Sequence, residues 1–235
     1  MTTNSIPLTV QTSRCQLHGP SSGGKQGFFV GDELTAQGLP FADLEAVVNA
    51  VAASLAAHPE LPATARIIYY NDSIFAAAWP YIPHNLTYFS LDYYHGLATG
   101  RVNETVWDLY NLHVFPKLGP ATKVLFVPQA FGSAVDTRPG YTLATYEGWA
   151  LGNLTEYIRW SALDERVVGF NPWHLLDRPG PTNASACAQR GSEFGCCEIG
   201  VIGMPRLHAA LVALGKEVVG NWRRSAIALN QFQPL

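Results

Sequence analysis

From Gly27 onward the chain alternates between short runs of β-branched and aromatic residues and longer stretches in which apolar residues recur every three or four positions. The first pattern predicts strands and the second helices, because side chains change face at every residue along a strand but return about every 3.6 residues along a helix. Thus "GFFVGDEL" is followed by "FADLEAVVNAVAASLAAH", and "ARIIYYND" by the shorter "SIFAAAWPYI". "LTYFSLDYY" precedes "VNETVWDLYNLHVFPKL", "TKVLFVPQAF" precedes "TLATYEGWALGNLTEYIRWSALD", and "RVVGFNPWHLL" precedes "MPRLHAALVALGKEVVGNWRRSA". The pattern predicts five βα units.

Strands this apolar, separated by helices, belong to a parallel sheet covered by those helices, which makes the fold α/β. A doubly wound sheet or a parallel (β/α) barrel would satisfy the pattern, and the polar residues choose between them. Each predicted strand ends in groups a purely structural strand has no use for: Asp32 and Glu33; Asn71 and Asp72; Asp92 with Tyr93 and Tyr94; Gln129; Asn171 with Trp173 and His174. Functional residues drawn from the C-terminal ends of many strands characterise the TIM barrel. A nucleotide-binding sheet would carry a Gly-rich loop after an early strand, whereas "SSGGKQG" precedes its strand and reads as a linker. A full barrel needs eight strands and about 250 residues. Residues 27–235 are therefore expected to form an incomplete barrel equivalent to the last five βα units, preceded by an irregular segment, residues 1–26, in which "IPLTVQT" is a candidate sixth strand.

The chain has 235 residues, 48% of them hydrophobic and 14% charged, with a formal net charge of −3, so it can bury a substantial core. No basic run exists to recognise nucleic acid or an anionic membrane surface. The stretch "DLEAVVNAVAASLAAH" falls short of the roughly 20 apolar residues that span a bilayer, so no membrane span is expected. Of the four cysteines, Cys187, Cys196 and Cys197 lie close together and Cys15 lies apart, without the spacing of a zinc site. Pairing Cys187 with Cys196 or Cys197 would close a loop of about ten residues, worth roughly 2–3 kcal/mol in the chain-entropy account, and leave Cys15 to the remaining thiol. Five N-glycosylation sequons, at Asn71, Asn85, Asn103, Asn153 and Asn183, point to an extracellular or secretory protein. "MTTNSIPLTVQTSRC" has neither a basic nor an apolar leader region, and the two signals agree if the chain is the C-terminal part of a longer product.

The stretches "GFFVGDEL", "RIIYYND", "YFSLDYYHG", "VLFVPQAFG" and "VVGFNPWH" resemble the later strands of retaining or substrate-assisted glycoside hydrolases built on TIM barrels, over about residues 27–215. The resemblance implies that Glu33, ending the fourth barrel strand after Asp32, is the general acid. A neighbouring carboxylate raises the proton affinity of such an acid toward the neutral range. Because adjacent strand residues face opposite ways, Asp32 and Glu33 both reach the barrel mouth only if the strand ends between them. Large retaining barrels place a glutamate nucleophile at the end of the seventh strand, where this chain has Gln129. Three alternatives follow: Asp92 supplies the second carboxylate, a substrate 2-acetamido group attacks while Asp92 or Asn71 orients it, or the site is inactive. "YFSLDYYHG" is similar to the sixth-strand segment of chitinase-type enzymes, but the fourth strand lacks their D-x-D-x-E spacing.

Apolar sugar faces stack on flat rings while hydroxyls meet carboxylates and amides. Tyr69, Tyr70, Tyr93, Tyr94 and Trp173 stand near strand ends, with His174 beside Trp173, and join Asp32, Asn71, Asp72, Gln129 and Asn171 as expected substrate contacts. His18, His58, His84, His113 and His208 lack metal-ligand spacing, no G-x-S-x-G elbow exists, and neither metal nor cofactor is expected. The expected protein is carbohydrate-active, with Glu33 and Asp92 as catalytic carboxylates. The alternative is a non-catalytic sugar-binding or structural remnant, whose open sheet edges call for a second chain to complete the barrel.

Overall fold

The computed structural model describes residues 27–92, 103–133, 142–172, 198–199 and 201–216. Its strands are β1 (Phe28–Asp32), β2 (Ile68–Ser73), β3 (Tyr88–Asp92), β4 (Lys123–Phe126), β5 (Gly132–Ser133), β6 (Val167–Phe170) and β7 (Glu198–Ile199). The α-helices are α1 (Phe41–Ala56), α2 (Asn103–Leu109), α3 (Leu143–Ser161) and a helical stretch over 205–216. The described residues fall into two compact units, one containing 27–92, 103–127 and 160–171, the other 128–159 and the positions from 172 onward.

The first unit is a five-stranded sheet in the order β1-β2-β3-β4-β6, with every neighbouring pair parallel. Each strand lies beside the one that precedes it in this sheet, so the winding never reverses. A doubly wound sheet must reverse at a switch point. Sequential parallel order is also the order of strands in a (β/α) barrel wall. The α/β fold read from the strand pattern is therefore present, and the sheet is consistent with part of a barrel.

The helix-side face supplies the core. Ile68, Tyr70, Phe89, Leu91, Val124 and Phe126 are all buried there, as are Leu44, Val48 and Leu55 along α1. Trp79 joins the two layers, its ring 5.2 Å from Phe41 of α1, 6.1 Å from Tyr70 and 6.0 Å from Phe89. A second aromatic group brings Trp107, Tyr110, Phe115, Phe126 and Trp160 together, and Trp107 stacks on Trp160 at 5.4 Å. Rings at these separations add to the energy of burial because edge and face carry opposite partial charge.

Two predicted helices are not regular. "SIFAAAWPYI" forms only a 3-10 turn, Ile74–Ala78, because Pro80 pushes Trp79 into extended backbone (ψ 150°). The helix predicted over "VNETVWDLYNLHVFPKL" is α2, then a π-helical turn at Tyr110–Val114, then a 3-10 turn at Phe115–Lys117 that contains Pro116. Proline removes a backbone donor and stops a longer helix.

The second unit contains the antiparallel pair β5 and β7, two residues each, which no strand-length pattern predicts. Its core gathers Ala130, Ala150, Leu154, Val201, Met204 and Leu207. Glu147 Oε1 accepts the amides of Arg206 (2.6 Å) and Leu207 (3.1 Å), capping the start of the 205–216 helix with negative charge.

Candidate functional site

Strict alternation along β1 would put Phe29 and Asp32 on opposite faces. The register departs from this: Phe29 pairs with Tyr69 and Asp32 with Asn71, so three steps on β1 match two on β2. The extra residue is a bulge, and it turns Asp32 to the face that already holds Phe29, whose ring lies 5.2 Å from Tyr69. Gly31 occupies the bulge, where a β-carbon would come within 2.6 Å of Leu34 Cδ1.

On that face a row of hydrogen bonds crosses the sheet. Asn71 Nδ2 donates to Asp32 Oδ1 at 2.7 Å, and Ser90 Oγ donates to Asn71 Oδ1. Tyr69 OH meets Ser90 Oγ at 2.6 Å, and Asn171 Nδ2 donates to Tyr69 OH at 3.0 Å. Ser90 has one proton and directs it at Asn71, so Tyr69 donates to Ser90 and accepts from Asn171. Every donor then points toward Asp32, and such a chain polarises cooperatively with the carboxylate as terminal acceptor. Asn171 is held by its own amide, which donates to Phe126 O at 2.7 Å. Asp92 pairs in register with Ser73, two residues beyond Asn71 and so on the same face. The Tyr69 phenol is pushed above its ordinary 10.0, first by burial, with Asp92 and Asp32 adding negative charge.

Glu33 follows directly after the strand, so β1 ends between the two carboxylates. Its φ of 48° makes it the sole non-glycine in the left-handed region among the described residues. The backbone is clamped there: Glu33 N donates to Asn71 O (3.0 Å), Gln37 N to Glu33 O (3.1 Å), and Gln37 Nε2 to Asp32 O (3.0 Å). Burial raises its carboxyl above the ordinary 4.5, and the charges of Asp32 and then Asp72 raise it further.

Tyr70 and Asp72 occupy the other face. Asp72 is fully buried and accepts Thr35 Oγ1 (2.8 Å), Tyr70 OH and the Ser73 amide (2.7 Å), while Leu34 N donates to Tyr70 OH at 3.1 Å. These bonds fasten the turn after β1 to the sheet, and burial followed by the Asp72 hydrogen bond pushes the Tyr70 phenol up. Gln129 belongs to the second unit, where it is buried, its Nε2 donating to Phe131 O at 2.9 Å. Tyr93, Tyr94, Trp173 and His174 lie outside the described residues, as do residues 1–26, all four cysteines and Asn183.

Of the expected site residues, Asp32, Asn71, Asp92 and Asn171 share one face at the C-terminal end of the sheet, with Glu33 adjoining Asp32. Ser90 was not among them, and its signal is a lone hydroxyl inside the apolar run "YFSLD". No group of three or more potential metal ligands occurs among the described residues, and no described helix is long and apolar enough to cross a membrane.

No protein-family model and no curated protein matches the sequence. Among solved structures, a β-D-glucuronidase from Dictyoglomus thermophilum is similar at 13% identity and a TM-score of 0.43, covering 68% of this chain. The present chain spans 26% of that protein's length.

Proposed function

We propose that the chain is a carbohydrate-active protein that engages a glycan at the C-terminal edge of its parallel sheet, with Glu33 as general acid and Asp92 as the partner carboxylate. The observation that carries this reading is Glu33 itself. A β-carbon in left-handed backbone costs free energy that glycine would avoid, and such strain concentrates where a side chain is kept for its chemistry. The same carboxyl has a raised proton affinity, which a group must have to protonate a leaving glycosidic oxygen near neutral pH. Asp32, Asn71 and Asn171 would meet sugar hydroxyls, and the half-buried ring of Tyr69, whose hydroxyl belongs to the polar row, would cover an apolar sugar face.

In the reaction, the Glu33 proton moves to the glycosidic oxygen as the bond to the anomeric carbon breaks, and the Asp92 carboxylate faces the positive charge that develops on the sugar. The test is turnover of a panel of aryl glycosides by the pure chain. Glu33→Gln and Asp92→Asn should each lower kcat by about 10²–10⁴-fold, the usual value of a positioned acid or base. Unchanged rates in both variants would overturn the assignment.

A sugar-binding protein without turnover is the second reading. It is favoured by Gln129, an amide where the resemblance leads one to expect a nucleophilic carboxylate, and it requires oligosaccharide binding by calorimetry with no release of free sugar.

A further inference from the structure

The five sequons differ in what the fold allows them to carry. Asn71 is buried and both ends of its amide are engaged, Nδ2 with Asp32 and Oδ1 with Ser90. Asn153 is buried at 4% exposure within α3, next to Leu154 of the second unit's core. A saccharide on either nitrogen has no room in the native structure. Asn85 differs on every count. It is exposed, in the turn closed by Leu86 N on Pro83 O, and its Nδ2 donates to Asn49 Oδ1 of α1 at 2.8 Å. An amide nitrogen carries two protons and a glycan replaces one, so the bond to Asn49 can persist. Asn85 precedes β3 at the end opposite Asp92, and a five-residue strand separates the two ends by about 13 Å. A glycan there leaves the candidate site open.

We infer that Asn85 is an acceptor for an N-linked glycan on the folded protein and that Asn71 and Asn153 are not. The donor is a polyprenyl-diphosphate-linked oligosaccharide. Asn85 Nδ2 bonds to the anomeric carbon as that carbon's bond to the diphosphate oxygen breaks. The lipid diphosphate departs, and the amide surrenders one proton to a base of the transferase. This proposal stands on the sequons and their burial and is independent of the catalytic reading.

The experiment is secretion of the full chain behind a heterologous leader from a eukaryotic host, followed by intact mass and glycopeptide mapping before and after enzymatic deglycosylation. Glycan is expected on Asn85, absent from Asn71 and Asn153, and lost at that position in Asn85→Gln with an unchanged thermal melt. A parallel Ser73→Ala, Thr155→Ala variant removes the two buried sequons without altering either asparagine, so it reports on Asn85 even if misplaced glycans retain the parent chain in the cell. Bare Asn85 in that variant, or a glycan on Asn71 or Asn153 of the secreted folded protein, would overturn the proposal.

Discussion

Replacing Glu33 separates strain from chemistry. The residue holds φ at 48°, where a β-carbon costs roughly 1–2 kcal/mol relative to right-handed backbone. Glu33→Ala keeps that carbon and its strain while deleting the carboxylate. Glu33→Gly deletes both, at an entropic cost of roughly 0.5–1 kcal/mol in the unfolded chain. The glycine variant should therefore be the more stable of the two by about 0.5–1 kcal/mol. Relative to the parent, Glu33→Gly also relieves repulsion from Asp32 and Asp72, which acts in the same direction. Urea unfolding followed by tryptophan fluorescence is the assay. With a slope of about 2 kcal/mol/M, the two midpoints should differ by roughly 0.3–0.5 M. Both variants should lack glycosidase turnover, so the glycine form gains stability as it loses activity. A Glu33→Gly midpoint at or below that of Glu33→Ala would show that the backbone there is unstrained, and the argument from strain to function would fall.

Stability should also respond to pH through the same carboxyl. Because folding raises its proton affinity, Glu33 contributes stability that is complete below its ordinary 4.5 and is lost as pH rises through the raised value. Glu33→Gln should flatten that fall in a series of denaturation curves between about pH 4 and 8, and an identical slope in parent and variant would contradict the raised affinity. Asp72→Ala should destabilise by about 2–4 kcal/mol in the same assay, since it strands Tyr70 OH, the Thr35 hydroxyl and the Ser73 amide at once, whereas Thr35→Val should cost only about 1 kcal/mol. Ser90→Ala cuts the polar row between Tyr69 and Asn71; it should cost about 1–2 kcal/mol, release the Asn71 side-chain amide protons to faster exchange by NMR, and raise KM more than it lowers kcat.

Much of this architecture is legible in local pattern. Apolar runs such as "RIIYYND" and "YFSLD" become adjacent parallel strands, and "FADLEAVVNAVAASLAAH" becomes α1, because a strand buried on both faces and a helix buried on one must each carry its own repeat of apolar side chains. Asp32 and Asp92, which close β1 and β3, are legible too, since a carboxylate closing an apolar run needs a partner or a task. Gln129, by contrast, expected to close its strand, lies beyond the end of β4. Where local rules end, the outcome depends on contacts between distant residues. Alternation along β1 cannot say that Asp32 joins the face of Phe29, because that depends on a bulge measured against β2, and Gly31 is its one local trace. Asp72 and Asn71 are neighbours with equal claims on paper, yet opposite pleats commit the first to Thr35 and Tyr70 and the second to Asp32 and Ser90. Nor can spacing disclose that Asn171 reaches Tyr69 across 102 positions, since a hydrogen bond is specified by where folding brings two atoms and not by either residue's neighbours in the chain.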